Sequence, residues 1–398
     1  MKTTKEWFSR FRLLRLRRQS TTLLLVNLFF KTICRSRRIK SRRPIRVAAL
    51  LAWLSLGPFA AHARDFIWHS PGGGLWGDNG NWSGGPHPTS FSDTATFNLL
   101  AGSSPAVTLV SVQTPPAVPT IGILNLDGRV AGGFTFQNGT LQLGGATTIN
   151  VQSHNPFEDF AANATIELFN TATINTEFSD STLRVAGVIT GAFALTKAGP
   201  GTLILAGTNT YSGTANVNGG TLLVNGSLGA GQVNVISGAA LGGTGTIAGP
   251  VAIQNGGILS PGVSPAPGTL TVGALTLNPD FILNYKLGIP GVVGNGVNDL
   301  VNVHGNLTLA GKLNVIDVGG FAAGTYRLFN YGGSLTDLGL KLNSFPSGFA
   351  ASDFTIQTTV PSQVNLIRRR RPSHRVLGWA LFGTQSHSQR RRRVRHLE

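Results

Sequence analysis

The sequence predicts an all-β chain wound as a right-handed parallel β-helix. Three observations predict it: a repeat of about 19 residues, a period of two inside each repeat, and Gly-rich punctuation with no helical interlude. The repeat emerges when small-small-x-Leu steps are aligned. Gly201-Thr202-Leu203, Gly220-Thr221-Leu222, Ala239-Ala240-Leu241 and Gly257-Ile258-Leu259 place Leu at spacings of 19, 19 and 18, and Leu277 follows 18 later.

Within each unit apolar residues alternate with Thr, Asn or Gln. Examples are Thr202-Leu203-Ile204-Leu205, Thr221-Leu222-Leu223-Val224, Val233-Asn234-Val235 and Val251-Ala252-Ile253-Gln254. Half-buried strands read this way. Asn218-Gly219-Gly220, Asn225-Gly226, Gly249-Pro250 and Asn255-Gly256-Gly257 punctuate the strands and allow sharp turns. The 52 Gly and 20 Pro also break any long helix. A unit this short cannot cover its own apolar face, so stacking on its neighbours is the natural solution. Inward positions then take Leu, Ile and Val. Outward positions take Thr and Asn, which stack on their own kind without repulsion. At about 19 residues per coil, the body would hold about 16 coils, forming a stiff rod. An antiparallel meander or sandwich is the competing arrangement, since Asn-Gly turns suit it too.

Leu195 to Val224, LTKAGPGTLILAGTNTYSGTANVNGGTLLV, carries a single charge, Lys197. It resembles the autotransporter-associated β-strand repeat of bacterial surface proteins. The residues that carry the likeness are Leu195, Thr196, Lys197, Gly201, Thr202, Leu203, Asn209, Thr210, Tyr211, Ser212, Gly213, Val217, Gly219, Gly220, Thr221 and Leu222. The flanks 74–97, 296–315 and 324–333 are similar to such proteins as well. The resemblance implies an exported, passenger-like solenoid of the pectin-lyase-like kind. Family members often end in a membrane β-barrel. The 31 residues after Ile367 fall far short of the eight or more strands that a barrel needs.

The net charge of +17 would ordinarily point to nucleic acid. Its distribution says otherwise. Of 33 Lys and Arg, 15 lie in residues 1–63 and 10 in 368–398. Residues 64–367 hold the remaining 8, against 14 acids, for a net charge of −6. No nucleic-acid partner is expected. The lone Cys34 sits in the N-terminal region and excludes a disulfide framework.

The basic N-terminus leads into an apolar run, Val47 to Ala63, too short to span a bilayer comfortably. The small residues Ala61 and Ala63 flank His62 as a signal cleavage site, with the cut after Ala63. An uncut N-terminal anchor is the alternative. The expected organisation is a signal region at 1–63, a Trp-rich N-terminal cap at 64–100, the solenoid at 101–367 and an Arg-rich tail at 368–398, with disordered or helical ends. The membrane enters only through the signal peptide or export machinery, and the protein is expected outside the cell or on its surface.

A β-helix can also be a polysaccharide lyase or hydrolase, which needs gathered carboxylates. Here Glu158 and Asp159 are adjacent and so point to opposite faces of a strand. Glu167, Glu177 and Asp180 have no spacing that unites them. His69, His87, His154 and His304 are far apart and show no metal-ligand pattern. Arg184 and Lys286 look isolated. Gly242-Gly243-Thr244-Gly245 has the glycines of a calcium repeat but Ile247 where Asp is required. No catalytic residue, cofactor or metal is expected. Trp68, Trp76 and Trp82 read as a cap over the first coil, or else as a platform for sugar rings. The function expected is a structural or adhesive surface protein whose partners are surface glycans or other cells. The alternatives are a carbohydrate-active β-helix enzyme and a fragment of a larger passenger.

Overall fold

In the computed structural model the described residues are 64–370, apart from residue 84, the segments 98–105, 110–119, 128–133 and 153–157, and residue 162. The expected signal region with Ala61 and Ala63, and the tail from residue 371 onward, lie outside the described residues. The chain forms a parallel β-helix. Among the described residues the only helical elements are two three-residue 3-10 turns, Asn79–Asn81 and Ala351–Asp353.

Three sheets run along the stack, of 15, 12 and 7 strands among the described residues. The first contains Leu195–Ala198, Ala215–Val217, Val233–Val235 and Val251–Ile253 side by side; the second contains Thr202–Leu205, Thr221–Val224, Ala240–Gly243 and Ile258–Pro261. The third begins only at Ser227–Leu228, so later coils gain an extra side. Pairing is parallel and in register from coil to coil across residues 172–309, so the antiparallel alternative is overturned. Backbone bonds such as Thr221 N–H to Gly201 C=O (3.0 Å) and Ala240 N–H to Gly220 C=O (2.8 Å) stitch each coil to the one before.

Register turns the period-two pattern into rows. In the second sheet one row reads Leu183, Leu203, Leu222, Leu241, Leu259, Leu283, Leu313 and Leu342. The first seven are fully buried. The predicted spacing holds from Leu203 to Leu259 and then fails. Leu277 is not the next member, because it pairs with Ile253 in the first sheet, whereas Leu259 stands opposite Leu283. The coil steps become 24, 30 and 29 residues from Leu259 to Leu342 because loops are inserted. The second sheet accordingly holds 12 strands among the described residues rather than about 16.

Antiparallel strands close both ends. Asp65–Trp68 pairs with Trp82–Ser83 at the start. At the other end Gln363–Arg368 pairs with Gly324–Tyr331 and Phe354–Gln357. The change in composition after Ile367 therefore falls inside a strand, which continues through Arg368. Phe321, Phe349 and Phe354 gather beside this hairpin, with Arg368 lying 4.2 Å over the Phe349 ring.

Truncating the middle of the leucine row tests the stack. Leu222→Ala is expected to lower stability by about 2–5 kcal/mol, because its cavity is walled by neighbouring coils that cannot collapse into it. Thr221→Ala, on the outward face, should change it by less than about 0.5 kcal/mol. Urea unfolding of the two variants reads the difference.

Candidate functional site

The quoted repeat places its polar residues against its own backbone. Lys197 stands in an inward row between Ile174 and Val217 and is 1% exposed. Its stem packs as an aliphatic residue would, and its Nζ donates to the carbonyls of Ala198 (2.8 Å), Gly199 (2.8 Å) and Gly219 (3.0 Å). Three carbonyl dipoles thus hold one cation at the corner between the first and second sheets. Burial pulls its pKa down to about 8, and the carbonyls favour the ammonium form.

Asn209, also buried, staples three coils. Its Oδ1 accepts from the Ile189 N–H (3.0 Å), and its Nδ2 donates to Gly207 O (3.0 Å) and Ser227 O (3.1 Å). Tyr211 is buried too. Its hydroxyl has no partner among the described residues, and burial pushes its pKa up. Gly213 lies so close to the coil below that an added Cβ would come within 2.2 Å of the Phe193 carbonyl. Gly220 has φ +59°, a conformation that other residues rarely adopt. Leu195, Gly201, Leu203 and Leu222 point inward, Thr196, Thr202 and Thr221 lie half-buried in strands, and Gly219 is half-buried. Of the residues that carry the likeness only Thr210 and Ser212 are well exposed, as are Pro200, Thr208 and Asn218 among the intervening positions. The residues that make the stretch distinctive hold one coil to the next.

On the outer faces amides do similar work between coils. Asn234 donates to Asn216 (3.2 Å), Asn150 to Asn125 (2.9 Å), and Asn343 to Asn314 (2.7 Å), which in turn donates to Asn284 (2.9 Å). Stacked charge does occur at Lys312, which stands opposite Lys341 and is 3.2 Å from Asp280.

Lys286 is not isolated. Its Nζ lies 2.9 Å from the Asp299 carboxylate, with both side chains buried, and donates to Pro261 O at 2.6 Å. Asp299 also accepts from the backbone N–H groups of Gly268 and Lys286, each at 2.8 Å. Burial raises Asp299 to about 6, against the pull of those bonds and of the Lys286 charge. Nothing in the period-two pattern marks this pair, because Asp299 lies at the far end of an inserted loop. Beside it Asn298 accepts from the Gly288 N–H (2.6 Å) and donates to Ile289 O and Val292 O. Together the two residues clamp the loops that lengthen this part of the stack.

Among the described residues the scattered acids and histidines form no cluster, and His154 lies outside those residues. Glu167 accepts from Gln142 (2.8 Å), while Glu158 and Asp159 sit in the strand Glu158–Phe160. His69 and His304 are exposed; His87 is buried beside Asn79, and burial lowers its pKa. Among the described residues no group of three or more His, Cys, Asp or Glu could hold a metal ion. Trp68, Trp76 and Trp82 are buried with Phe97, at ring separations of 4.9–6.0 Å, and every indole N–H donates to a backbone carbonyl. None offers a free ring face to a sugar.

The fold and the inward-facing motif define a parallel β-helix whose coils are fastened to one another by buried polar side chains. Residues 195–224 match the Passenger-associated-transport-repeat family. Over 200 residues the chain is 41% identical to the adhesin BmaC autotransporter of Brucella suis biovar 1 (strain 1330). That match covers 49% of this chain and 6% of the adhesin, so the chain spans a small part of its relative's length.

Lys197→Met keeps the apolar stem but leaves three carbonyls without their donor. A net loss of about 1–3 kcal/mol is expected in urea unfolding. The Asp299 pKa is higher in the folded chain than its ordinary value of 3.8, so the folded state binds the proton more tightly. The contribution of this group is therefore greatest below about pH 4 and diminishes as pH rises through about 6. Unfolding of the wild type against Asp299→Asn across that window should show the wild-type advantage shrinking with rising pH.

Proposed function

We propose that the chain is an exported, non-enzymatic passenger segment that acts in adhesion at the bacterial surface. The observation that carries this reading is the 41% identity with an adhesin autotransporter over 200 residues. The repeat at 195–224 supports it. Export is supported by the basic and apolar residues ahead of Ala63. In this reading residues 64–100 cap the first coil, the solenoid runs from 101 through the strand that ends at Arg368, and the residues after it are a basic tail.

The mechanism is one of presentation. Stacked coils hold outward Thr and Asn at fixed spacings of about 4.8 Å along each sheet. Weak contacts with glycans or other cell-surface groups then add up along the face, since linked sites raise overall avidity without any strong single contact. No residue is assigned a catalytic role.

Expression in a bacterial host should yield a mature chain beginning at Arg64 by intact mass. It should be cleaved by protease added to whole cells, and beads coated with it should adhere to target cells. Retention of residues 1–63 with full protection from protease would overturn export. Failure of the folded protein to adhere, or turnover of a polysaccharide by it, would overturn the adhesive reading.

A further inference from the structure

The three sheets end differently at the far end of the stack. The third is covered by the antiparallel hairpin of Phe354–Gln357 and Gln363–Arg368. The first ends at Leu335–Asp337 and the second at Lys341–Ser344, and among the described residues no further strand pairs with either. The ladder points past them. Leu275 and Leu307 each donate the backbone N–H forward, to the carbonyls of Asn306 and Ser334 at 2.9 Å. The Leu335 N–H is next in that series and faces an open edge. Such an edge is a template on which another chain can pair.

We propose that Asp337 and Lys341 keep this end of the stack from pairing with a second copy of the chain. Parallel register preserves the face that each side chain takes. One inward row runs Val233, Val251, Leu275, Leu307 and Leu335 and stays aliphatic to its end. Its companion row, two residues further along each strand, runs Val235, Ile253, Leu277 and Leu309 and then breaks, because Asp337 stands opposite Leu309. Those four aliphatic members are fully buried, whereas Asp337 is exposed. The carboxylate is also held in place: Oδ1 accepts from the Gly339 N–H (3.0 Å) and Oδ2 from the Thr358 hydroxyl (2.9 Å). A strand added to this edge would enclose it in an aliphatic row, stripping water from a charge that gains no cation in return.

The second sheet is guarded by other means. Lys341 is exposed at the start of its last strand and stands opposite Lys312. The register then slips: Asn314 stands opposite Ser344, which leaves Asn343 as an extra residue. Asn343 and Ser344 both donate to the Asn314 amide oxygen, at 2.7 and 2.8 Å. A bulge and a lysine each spoil a straight edge. The opposite end of the first sheet is already closed by Trp82–Ser83, so the contact that remains to be blocked in that sheet is tail to tail. A two-fold pairing centred on Thr336 would set Asp337 of each copy opposite Leu335 of the other, on the core-facing side.

Sedimentation velocity of the full chain over a range of concentrations tests the proposal, with circular dichroism to confirm the fold. The wild type is expected to stay a monomer. Asp337→Leu combined with Lys341→Thr should shift toward the mass of a dimer as concentration rises. Adding Leu335→Pro, which removes the outward N–H, should return that variant to a monomer. A second pair, Asp337→Asn with Lys341→Thr, removes the charge but keeps an amide able to bond Gly339 and Thr358, so the turn survives even where leucine disrupts it. It should dimerise as well, about tenfold more weakly because the amide is still polar. A wild type that already dimerises, folded variants that remain monomers at every concentration, or association indifferent to Leu335→Pro would each overturn the proposal.

Discussion

The structure depends on parallel strands stacking in register. Each residue of a coil has, as its nearest neighbours across the ladder, its counterparts in the coils before and after. An inward position must therefore hold an aliphatic side chain many times over, as the row from Leu183 to Leu342 does. An outward position must hold groups that tolerate their own kind at close range. Asparagine meets that demand because each amide both donates and accepts, as the chain Asn284, Asn314, Asn343 shows. Like charges meet it poorly. Where Lys312 and Lys341 do face each other, Asp280 stands near enough to offset one of them.

The same constraint explains the polar residues inside. A lysine in an aliphatic row is expensive unless its head group is fully bonded. Lys197 reaches the corner where Ala198, Gly199 and Gly219 expose carbonyls that the ladder does not fully use. Asn209 supplies the reverse kind of bond, accepting from one coil while donating to another. A corner has no regular ladder geometry, so side chains take over there what backbone alone does along the strands. Stacking also leaves raw edges at its ends. The antiparallel pairs at Trp82–Ser83 and Gln363–Arg368 end parallel addition in the first and third sheets, with an aromatic cluster beside each.

What was legible in the sequence was whatever the ladder imposes repeatedly. Alternation and the Leu203–Leu259 spacing revealed the coil because both are enforced at every step. Leu277 misled for the same reason: it keeps the spacing but belongs to another sheet, and only an inserted loop at 261–268 puts it there. Loops do not repeat, so the clamp of Lys286 and Asp299 across them left no periodic trace. Asp299 became meaningful only when the fold brought it within 2.9 Å of Lys286. The closing hairpin was hidden likewise, because an abrupt rise in Arg content after Ile367 masked a strand that runs to Arg368. The motif at 195–224 was legible as a motif, but its role was not: the inward aim of Lys197, Asn209 and Tyr211 depends on which corner each one occupies.

That aim bears on where recognition can reside. Residues committed to carbonyls and amides of adjacent coils cannot also meet a partner without unfastening the stack. Thr210 and Ser212 are the motif's exposed exceptions, and both sit beside Asn209 and Tyr211 at a turn that the coil needs. Positions free to differ from coil to coil are the outward strand residues and the loops inserted after Leu259. The strand residues are alike along the face, which suits many weak contacts. The loops are unique and enclose a cleft, which suits one specific contact. A repeat protein of this kind thus separates its tasks by geometry, with identity conserved along the ladder and individuality confined to the places where the ladder lets the chain leave it.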